Sequence, residues 1–568
     1  MDKLLRESLV AGVERVIAWS GLLDKINVFP LADGDTGRNL TISLSPLRGK
    51  YENREEIIDK LLLSACGNSG NIAAGFLSGF LESYSWENLP QTARSGRDKA
   101  FKAVRKPQHG TMLTVFDVLV DILEKVNKKE KGEVCVLVID QLEKAVRDTS
   151  SQLPKLKAAG VVDAGALGMF LFLEVFFKHL SQGTYKLRPV FQIFEGMLEV
   201  SASFSEIKEE SYCVDAVIRL NKNNDKSAAL LSKYDDSLTV ISNKDYLKVH
   251  LHTDDNKLKE KIESLGEVIR WTDDNMGDQI EDFNKNYIPQ AIHIMTDAAG
   301  SVTRQVAKKL NITLLDSHII IGEDIYPETL LSSSKLYTSM EKGIKVSTSQ
   351  ASIFERHQCY KSVLDQNKRV LYLCVGSLYT GNYDVVMDWK KGNDPHDNLI
   401  VIDTKAACGR LGTIVRAVAS FSHKVDDYKK VVQFAEKAVE NCEEYVFLEK
   451  LKYLAASGRV SRHKALFGDI LNKKPVISHT VQGIEKAGVV KNREDQLKFA
   501  IKKLERSLPE DSKPLIMVEY SNNKNWVKDK VMKEVKSRFP FANIMLEPLS
   551  LTSGTHMGPG TWGVAFLL

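Results

Sequence analysis

The hydrophobic rhythm of this chain changes twice along its length, and each change restricts what the stretch can become. From residue 1 to about 183, apolar residues recur at three- and four-residue spacing. Glu55 to Ala65, Thr114 to Lys128 and Glu133 to Thr149 are examples, with glycine and proline only between such windows. That period predicts an all-helical first region. Near Val200 the period shortens. Ser211 to Leu220, Ser237 to Ile241 and Tyr246 to His252 are short, β-rich and partly alternating, which predicts a small α/β module. The charged stretches 221–226 and 253–262 read as solvated turns and helix faces. From Ala291 onward apolar strands alternate with helices, which predicts a largely parallel sheet covered on both faces. With 568 residues the chain exceeds one core. The expected domains are 1–183, 184–284 and 285–568, with 284–290 as the linker before the last.

Several classes are excluded early. Lys and Arg number 78 against 74 Asp and Glu, a balance unlike the one-sided, clustered charge of a nucleic-acid binder. Leu5, Leu9, Val13, Val16 and Ile17 follow helical spacing broken by Glu7, Glu14 and Arg15, so the first segment reads as an amphipathic helix and not a signal peptide. Ala164 to Leu180 is the most apolar stretch. It carries Glu174 and Lys178 and falls short of the roughly 20 uninterrupted residues that cross a bilayer, which predicts a buried core helix. Seven cysteines without a close pair predict reduced thiols and a cytoplasmic location.

The sharpest local motif is NVFPLADGDTGRNL, residues 27–40. Asp33 and Asp35 flank Gly34, followed by Thr36 and Gly37, and Asn39 closes the turn. Two carboxylates this close repel unless a cation lies between them. Hard oxygen donors on a tight loop suit Mg²⁺, which binds substrate phosphates as well. An Asx-rich surface turn uses the same residues, and DGDTG alone does not choose. ACGNSGNIAAG (65–75), HGTMLTVFDVL (109–119) and AGVVDAGALGMF (159–170) add three glycine-opened helix starts, whose backbone N–H groups can receive a phosphate.

In that order the four segments resemble the L domain (DhaL-like) of dihydroxyacetone kinases, and more closely its relative in bacterial fatty acid kinases. The resemblance covers residues 1–183 and implies an all-α helical barrel with Mg-ATP at one end. It assigns Asp33 and Asp35 to Mg²⁺, Asn68, Ser69 and Gly70 to the nucleotide phosphates, Thr111 and Met112 to the nucleotide pocket, and Thr36 and Asn39 to cofactor binding. The dihydroxyacetone enzymes have a third metal carboxylate just upstream, where the nearest match here is Asn27.

FEGMLEV, SYCVDAV and YLKVHLHTDD resemble pieces of the fatty acid kinase middle domain. On a strand His250 and His252 share one face. Cys213 on a neighbouring strand would complete a zinc trio with acceptable ligand chemistry. Ordinary strand histidines fit the spacing equally well, and the resemblance implies the metal.

Residues 290–568 resemble the DegV family of fatty-acid-binding proteins along their whole length. The markers are MTDAAG (295–300), STSQAS (347–352), SLYTGNY (377–383), VIDTKAACGRLG (401–412), LAASGRVSRHKALFG (454–468), KPVI (474–477) and GTHMGPGTWG (554–563). The resemblance implies an α/β fold and places Thr348, Ser349, Thr380, Arg459 and His556 at a lipid carboxylate, which accepts charge-assisted bonds from such donors. Burying a chain of about sixteen carbons gains on the order of 10 kcal/mol before ordering costs, so the head group has to supply placement more than affinity. The family's Thr-Asp-Ser is Thr296-Asp297-Ala298 here, its Asp-Ser is Asp403-Thr404, and the proline of its Ser-Gln-Pro is Ala351.

Taken together, the resemblances imply a kinase that moves the γ-phosphate of ATP to a long-chain fatty acid held by its own last domain, giving an acyl phosphate. ATP, Mg²⁺ and Zn²⁺ are the expected cofactors. An acyltransferase that accepts the acyl phosphate, a homodimer and peripheral membrane contact are the further partners this reading admits, and nucleic acid is not among them. Two alternatives stay open at this stage: a non-enzymatic lipid-binding or regulatory protein, and a kinase for a small hydroxylated ketone.

Overall fold

The computed structural model describes residues 3–568 except 84, 127–129, 184, 207–211, 221–237, 244–245, 256, 285–289, 457–473 and 481. The chain forms two compact units, Met1–Asn286 and Tyr287–Leu568.

The first unit opens with helices α1 (Lys3–Lys25), α2 (Thr36–Leu44), α3 (Arg54–Ser64), α4 (Gly67–Phe80), α5 (Leu89–Ala103), α6 (Met112–Lys125), α7 (Lys131–Gln152), α8 (Pro154–Ala159) and α9 (Ala164–Leu180). Packing neighbours run α1–α2–α4–α5–α6–α7–α9 and back to α1, which closes a barrel of helices. The amphipathic stripe of α1 explains its place: Leu5, Leu9, Val13, Val16, Trp19 and Leu23 all face the core. Every residue of α9 from Ala164 to Phe177 is buried, as a helix apolar on all sides must be. Its one acid in that stretch, Glu174, pairs with buried Arg15 at 3.3 Å. Among the described residues no helix is long and apolar enough to cross a membrane.

The middle sheet contains β1 (Tyr212–Leu220), β2 (Thr239–Asn243), β3 (Tyr246–Thr253) and β4 (Gly266–Asn275), in the antiparallel order β2-β3-β1-β4. Strand β4 is not visible in the sequence pattern, because its second half, Thr272 to Asn275, is polar and largely exposed. Alternation divides the sheet into two faces. Val214, Ala216, Ile218, Leu247, Val249 and Leu251 pack on Leu258 and Ile262 of the helix Leu258–Glu263. The opposite face carries Cys213, Asp215, Lys248, His250 and His252, and this face meets the barrel. Ile241 packs against Leu62, Ala65 and Ala74, and Arg270 donates to the Ala65 carbonyl at 3.1 Å.

Among the described residues the second unit holds three sheets. Strands β5 (His293–Asp297), β6 (Ile312–Leu315), β10 (Val370–Cys374) and β11 (Leu399–Asp403) form a parallel sheet, order β11-β10-β5-β6. Strands β7 (His318–Ile321), β8 (Asp324–Pro327) and β9 (Val346–Ser349) form an antiparallel one. Strands β12 (Glu443–Phe447), β13 (Lys474–Thr480), β14 (Gly483–Val490), β15 (Leu515–Tyr520), β16 (Asn543–Pro548) and β17 (Trp562–Leu567) form a six-stranded sheet, order β14-β13-β12-β17-β15-β16. Only β15 and β16 run parallel in it. The expected largely parallel sheet therefore holds for β5, β6, β10 and β11, while β7 to β9 and most of the six-stranded sheet pair antiparallel. The two-residue gap from Thr480 to Gly483 is too short for a parallel crossover, so β13 and β14 must pair antiparallel.

Candidate functional site

Helix α2 begins after Asp35, yet the Asp35 side chain makes no capping bond. The cap comes from Asp24, at the end of α1, whose Oδ1 accepts from Gly37 N at 2.6 Å and Arg38 N at 3.1 Å. Asp33 accepts from Asn27 Nδ2, and Asn27 Oδ1 accepts from Thr36 Oγ1 at 2.9 Å. The Asn27 amide is thus engaged at both ends and orients Asp33. Asn39 donates to Asp35. Burial and the neighbouring Asp35 charge push the Asp33 carboxyl well above its ordinary value, and burial raises Asp35 too. A divalent cation between them removes both penalties.

Gly67 starts α4 at φ +64°, and a Cβ there would lie 2.0 Å from Asn39 Nδ2, so only glycine lets this helix start approach α2. The N-cap residue of α4, Cys66, makes no side-chain cap, and Asp215 of β1 accepts the Gly67 N–H instead at 3.0 Å. Asn68 and Ser69 are partly exposed, Gly70 is buried, and Asn68 Oδ1 is buried without a hydrogen-bond partner. First-turn amides such as those of Asn68, Ser69 and Gly70 are anion receptors. Thr111 caps α6, accepting from Leu113 N at 3.4 Å, and Met112 is buried. Asp163, which the sequence reading passed over, joins two helix starts. It accepts from Ala166 N at 2.7 Å to cap α9 and also from the Met112 backbone. Burial pushes its carboxyl up to about 7. The local signal was an Asp immediately before the helix Ala164–Leu180.

On the middle sheet Cys213 stands opposite His252, and Asp215 opposite His250. Ligand atoms of Cys213, His250 and His252 lie within 4.8 Å of one another. A thiol and two imidazoles in that spacing fit a zinc ion. Asp215 is a hub that sequence reasoning missed, although it lies two residues from Cys213 on the same face. It pairs with Lys248 Nζ at 2.7 Å and His250 Nδ1 at 3.3 Å, and accepts from Gly67 N at 3.0 Å. Burial works against its ionisation, and Lys248 with His250 overrides that, holding Asp215 well below the usual carboxylate range. Burial raises the Cys213 thiol, and the charge of Asp35 adds to it; His250 in turn lowers Asp35. The trio and the aspartate pair therefore share one electrostatic neighbourhood.

In the second unit Thr348, on β9, and His556, on the helix Leu551–Met557, meet at 3.1 Å between Oγ1 and Nε2. Ser349 is exposed at the end of β9. Thr380 Oγ1 accepts from Asn382 N at 3.1 Å and so begins the helix Asn382–Asn393. Arg459 lies outside the described residues. Buried Asp297 positions the Thr380 loop: it accepts from Arg356 Nη1 (3.0 Å), Tyr372 Oη (2.8 Å), Val375 N (2.9 Å) and Asn382 Nδ2 (2.8 Å). Asp403 holds the same loop through Ser377 N at 3.0 Å. The Thr404 hydroxyl bonds the Cys374 carbonyl at 2.7 Å and is structural.

Known families match three successive parts of the chain. Residues 30–178 match the DAK2 domain, residues 209–283 the middle domain of fatty acid kinase A-like proteins, and residues 291–568 the DegV family. The chain is a fusion of a DAK2 domain, a fatty acid kinase A-like middle domain and a DegV domain. The first two give the Met1–Asn286 unit a fatty acid kinase-like architecture. An uncharacterized protein of Staphylococcus saprophyticus is 28% identical over 409 residues, 65% of this chain and 70% of that protein. One of Staphylococcus haemolyticus is 30% identical over 309 residues, 49% of this chain and 55% of its own length. The DegV domain is similar to a fatty-acid-binding DegV family protein of Thermus thermophilus, at 19% identity and TM-score 0.46 over 49% of this chain and 99% of that one. It is likewise similar to DegV, a fatty acid binding protein of Bacillus subtilis, at 18% and 0.46 over 49% and 100%.

Proposed function

We propose that this chain is an ATP-dependent kinase whose acceptor is the carboxylate of a long-chain fatty acid held by its own DegV domain, with acyl phosphate and ADP as products. The observation that carries the reading is the use of Asp24 as the cap of α2. It leaves Asp33 and Asp35 to a cation, beside the first turn of α4. Asp33 and Asp35 would hold Mg²⁺, oriented by Asn27 and Asn39 and flanked by Thr36. Bound there, the ion supplies positive charge against the triphosphate. Asn68, Ser69 and Gly70 receive phosphate oxygens on their first-turn amides, and Thr111 with Met112 lines the nucleotide pocket. A fatty carboxylate is ionised at neutral pH, so the acceptor needs no strong base. The main barrier is repulsion between two anions, which charge and alignment lower. Thr348 and His556 offer a hydroxyl and an imidazole to the lipid head group, with Ser349, Thr380 and Arg459 as the remaining donors. Cys213, His250 and His252 would hold a structural zinc ion that stiffens the sheet against α4.

Incubating the full chain with ATP, Mg²⁺, a long-chain fatty acid and hydroxylamine tests this, because an acyl phosphate is an activated carboxyl. A fatty hydroxamate and ADP should form together. Asp33→Asn or Asp35→Asn should lower the yield by at least about 100-fold with bound lipid retained, the scale of losing a principal charge-stabilising group. Protein that binds both ATP and lipid and gives no hydroxamate would favour the non-enzymatic lipid carrier instead.

A further inference from the structure

The helix Cys408–Ser422 packs on β5, β12, β15 and β17. Where it starts, polar groups interrupt an otherwise apolar interior. Cys408, Glu444 of β12, His479 of β13 and Glu519 of β15 are all buried, none more than 3% exposed. The Cys408 thiol, a Glu444 carboxylate oxygen and a His479 ring nitrogen lie within 4.8 Å of one another. His479 Nδ1 contacts Glu444 Oε2, and Glu444 Oε1 accepts from Arg410 N at 3.2 Å. Glu519 stands beside Glu444. Its Oε1 accepts from Ser301 Oγ at 2.5 Å, and its carboxyl shares a hydrogen bond with Glu444.

Glu519 Oε2 occupies space the backbone leaves open. A Cβ on Gly409 would come 2.4 Å from Glu519 Oε2 and 3.0 Å from Glu444 Oε1, and one on Gly563 would come 2.8 Å from Glu519 Oε2. Two carboxylates side by side in a dry interior oppose each other's ionisation. Without a cation one proton must serve both of them, next to an imidazole and a thiol.

We propose that Cys408, Glu444, His479 and Glu519 form a closed structural site for a divalent transition metal of the zinc class. Sulfur, imidazole nitrogen and carboxylate oxygen are the donors such an ion takes, and four protein ligands with no open position mark a structural rather than a catalytic site. The charges balance. A thiolate and two carboxylates carry three negative charges, matched by the divalent ion and by the Arg410 guanidinium, whose charge acts on both Glu444 and His479. Ser553 Oγ, 3.0 Å from Cys408 Sγ, accepts from the thiol and can donate to the thiolate. The ion would tie one helix start to three strands of the six-stranded sheet. The site does not depend on the kinase reading.

The test uses the full chain carrying Cys213→Ser, which removes the middle-sheet trio, produced with zinc in the medium. Elemental analysis should find about one zinc per chain, as expected for a closed site. Adding Cys408→Ser or Glu519→Gln should lower it severalfold. Loaded with Co²⁺, the Cys213→Ser protein should show a sulfur-to-cobalt absorption band that Cys408→Ser abolishes. Glu519→Gln keeps the shape of the side chain, so it decides the matter even if the cysteine variant fails to fold. A Cys213→Ser chain with background metal and no cobalt–thiolate band overturns the proposal. Zinc retained undiminished in both added variants overturns it as well.

Discussion

Replacing Asp215 with Ala removes the partner of Lys248, whose side chain is 3% exposed, and the acceptor of the Gly67 N–H. Burial lowers the Lys248 ammonium below its ordinary value even with Asp215 present, so taking this cation out of water costs more than one carboxylate returns. The pair therefore adds little net stability, and breaking it is expensive. An orphaned buried charge costs about 3–5 kcal/mol, and an unsatisfied buried N–H about 1–3 kcal/mol. Because the two share one carboxylate, a combined loss of about 4–6 kcal/mol is expected. At about 2 °C or more per kcal/mol for a unit of this size, Tm should fall by roughly 8–15 °C. The double variant Asp215→Ala/Lys248→Met removes the orphaned charge along with its partner, and should recover most of the loss, leaving a deficit of about 2–6 °C from the Gly67 amide. Calorimetry of the full chain reads both. A single variant within about 2 °C of the parent would refute the reasoning, given the charge cost above. So would a double variant less stable than the single one, since Lys248 would then owe its place to something other than Asp215.

Two further predictions concern the same unit. Protein made without added zinc should carry near-stoichiometric metal at the middle sheet, and Cys213→Ser should remove that share in elemental analysis; a parent chain without metal at full stability would sink the assignment. Asp163 has its carboxyl raised from 3.8 to about 7 by burial. Its ionisation therefore costs nothing below pH about 4, grows as pH rises, and is complete above pH about 7. Asp163→Asn keeps a capping side chain without the charge, so its stability relative to the parent should rise by about 2–3 kcal/mol between pH 5 and pH 8. Parallel Tm-versus-pH curves for the two proteins would contradict that.

What the sequence determined by itself is local. The 3.6-residue period made the first region helical, because each turn of helix is set by residues three and four apart. The glycine-opened helix starts and the paired aspartates of residues 33–35 were legible for the same reason, and so was the shared face of His250 and His252. Tertiary structure decided which group plays which part. Asp35 looks like the cap of its own helix, and only the approach of α1 brings Asp24 across 13 positions to take over. Asp215 reaches Gly67 across 148 positions, and no turn chemistry or periodicity records that pairing. The six-stranded sheet makes the same point: β17 inserts between β12 and β15, so Glu444 and Glu519 become neighbours through a strand that comes last in the chain. Backbone preferences act over a few residues. Strand order, and the donor each buried carboxylate finds, are settled only when distant segments compete for one interior.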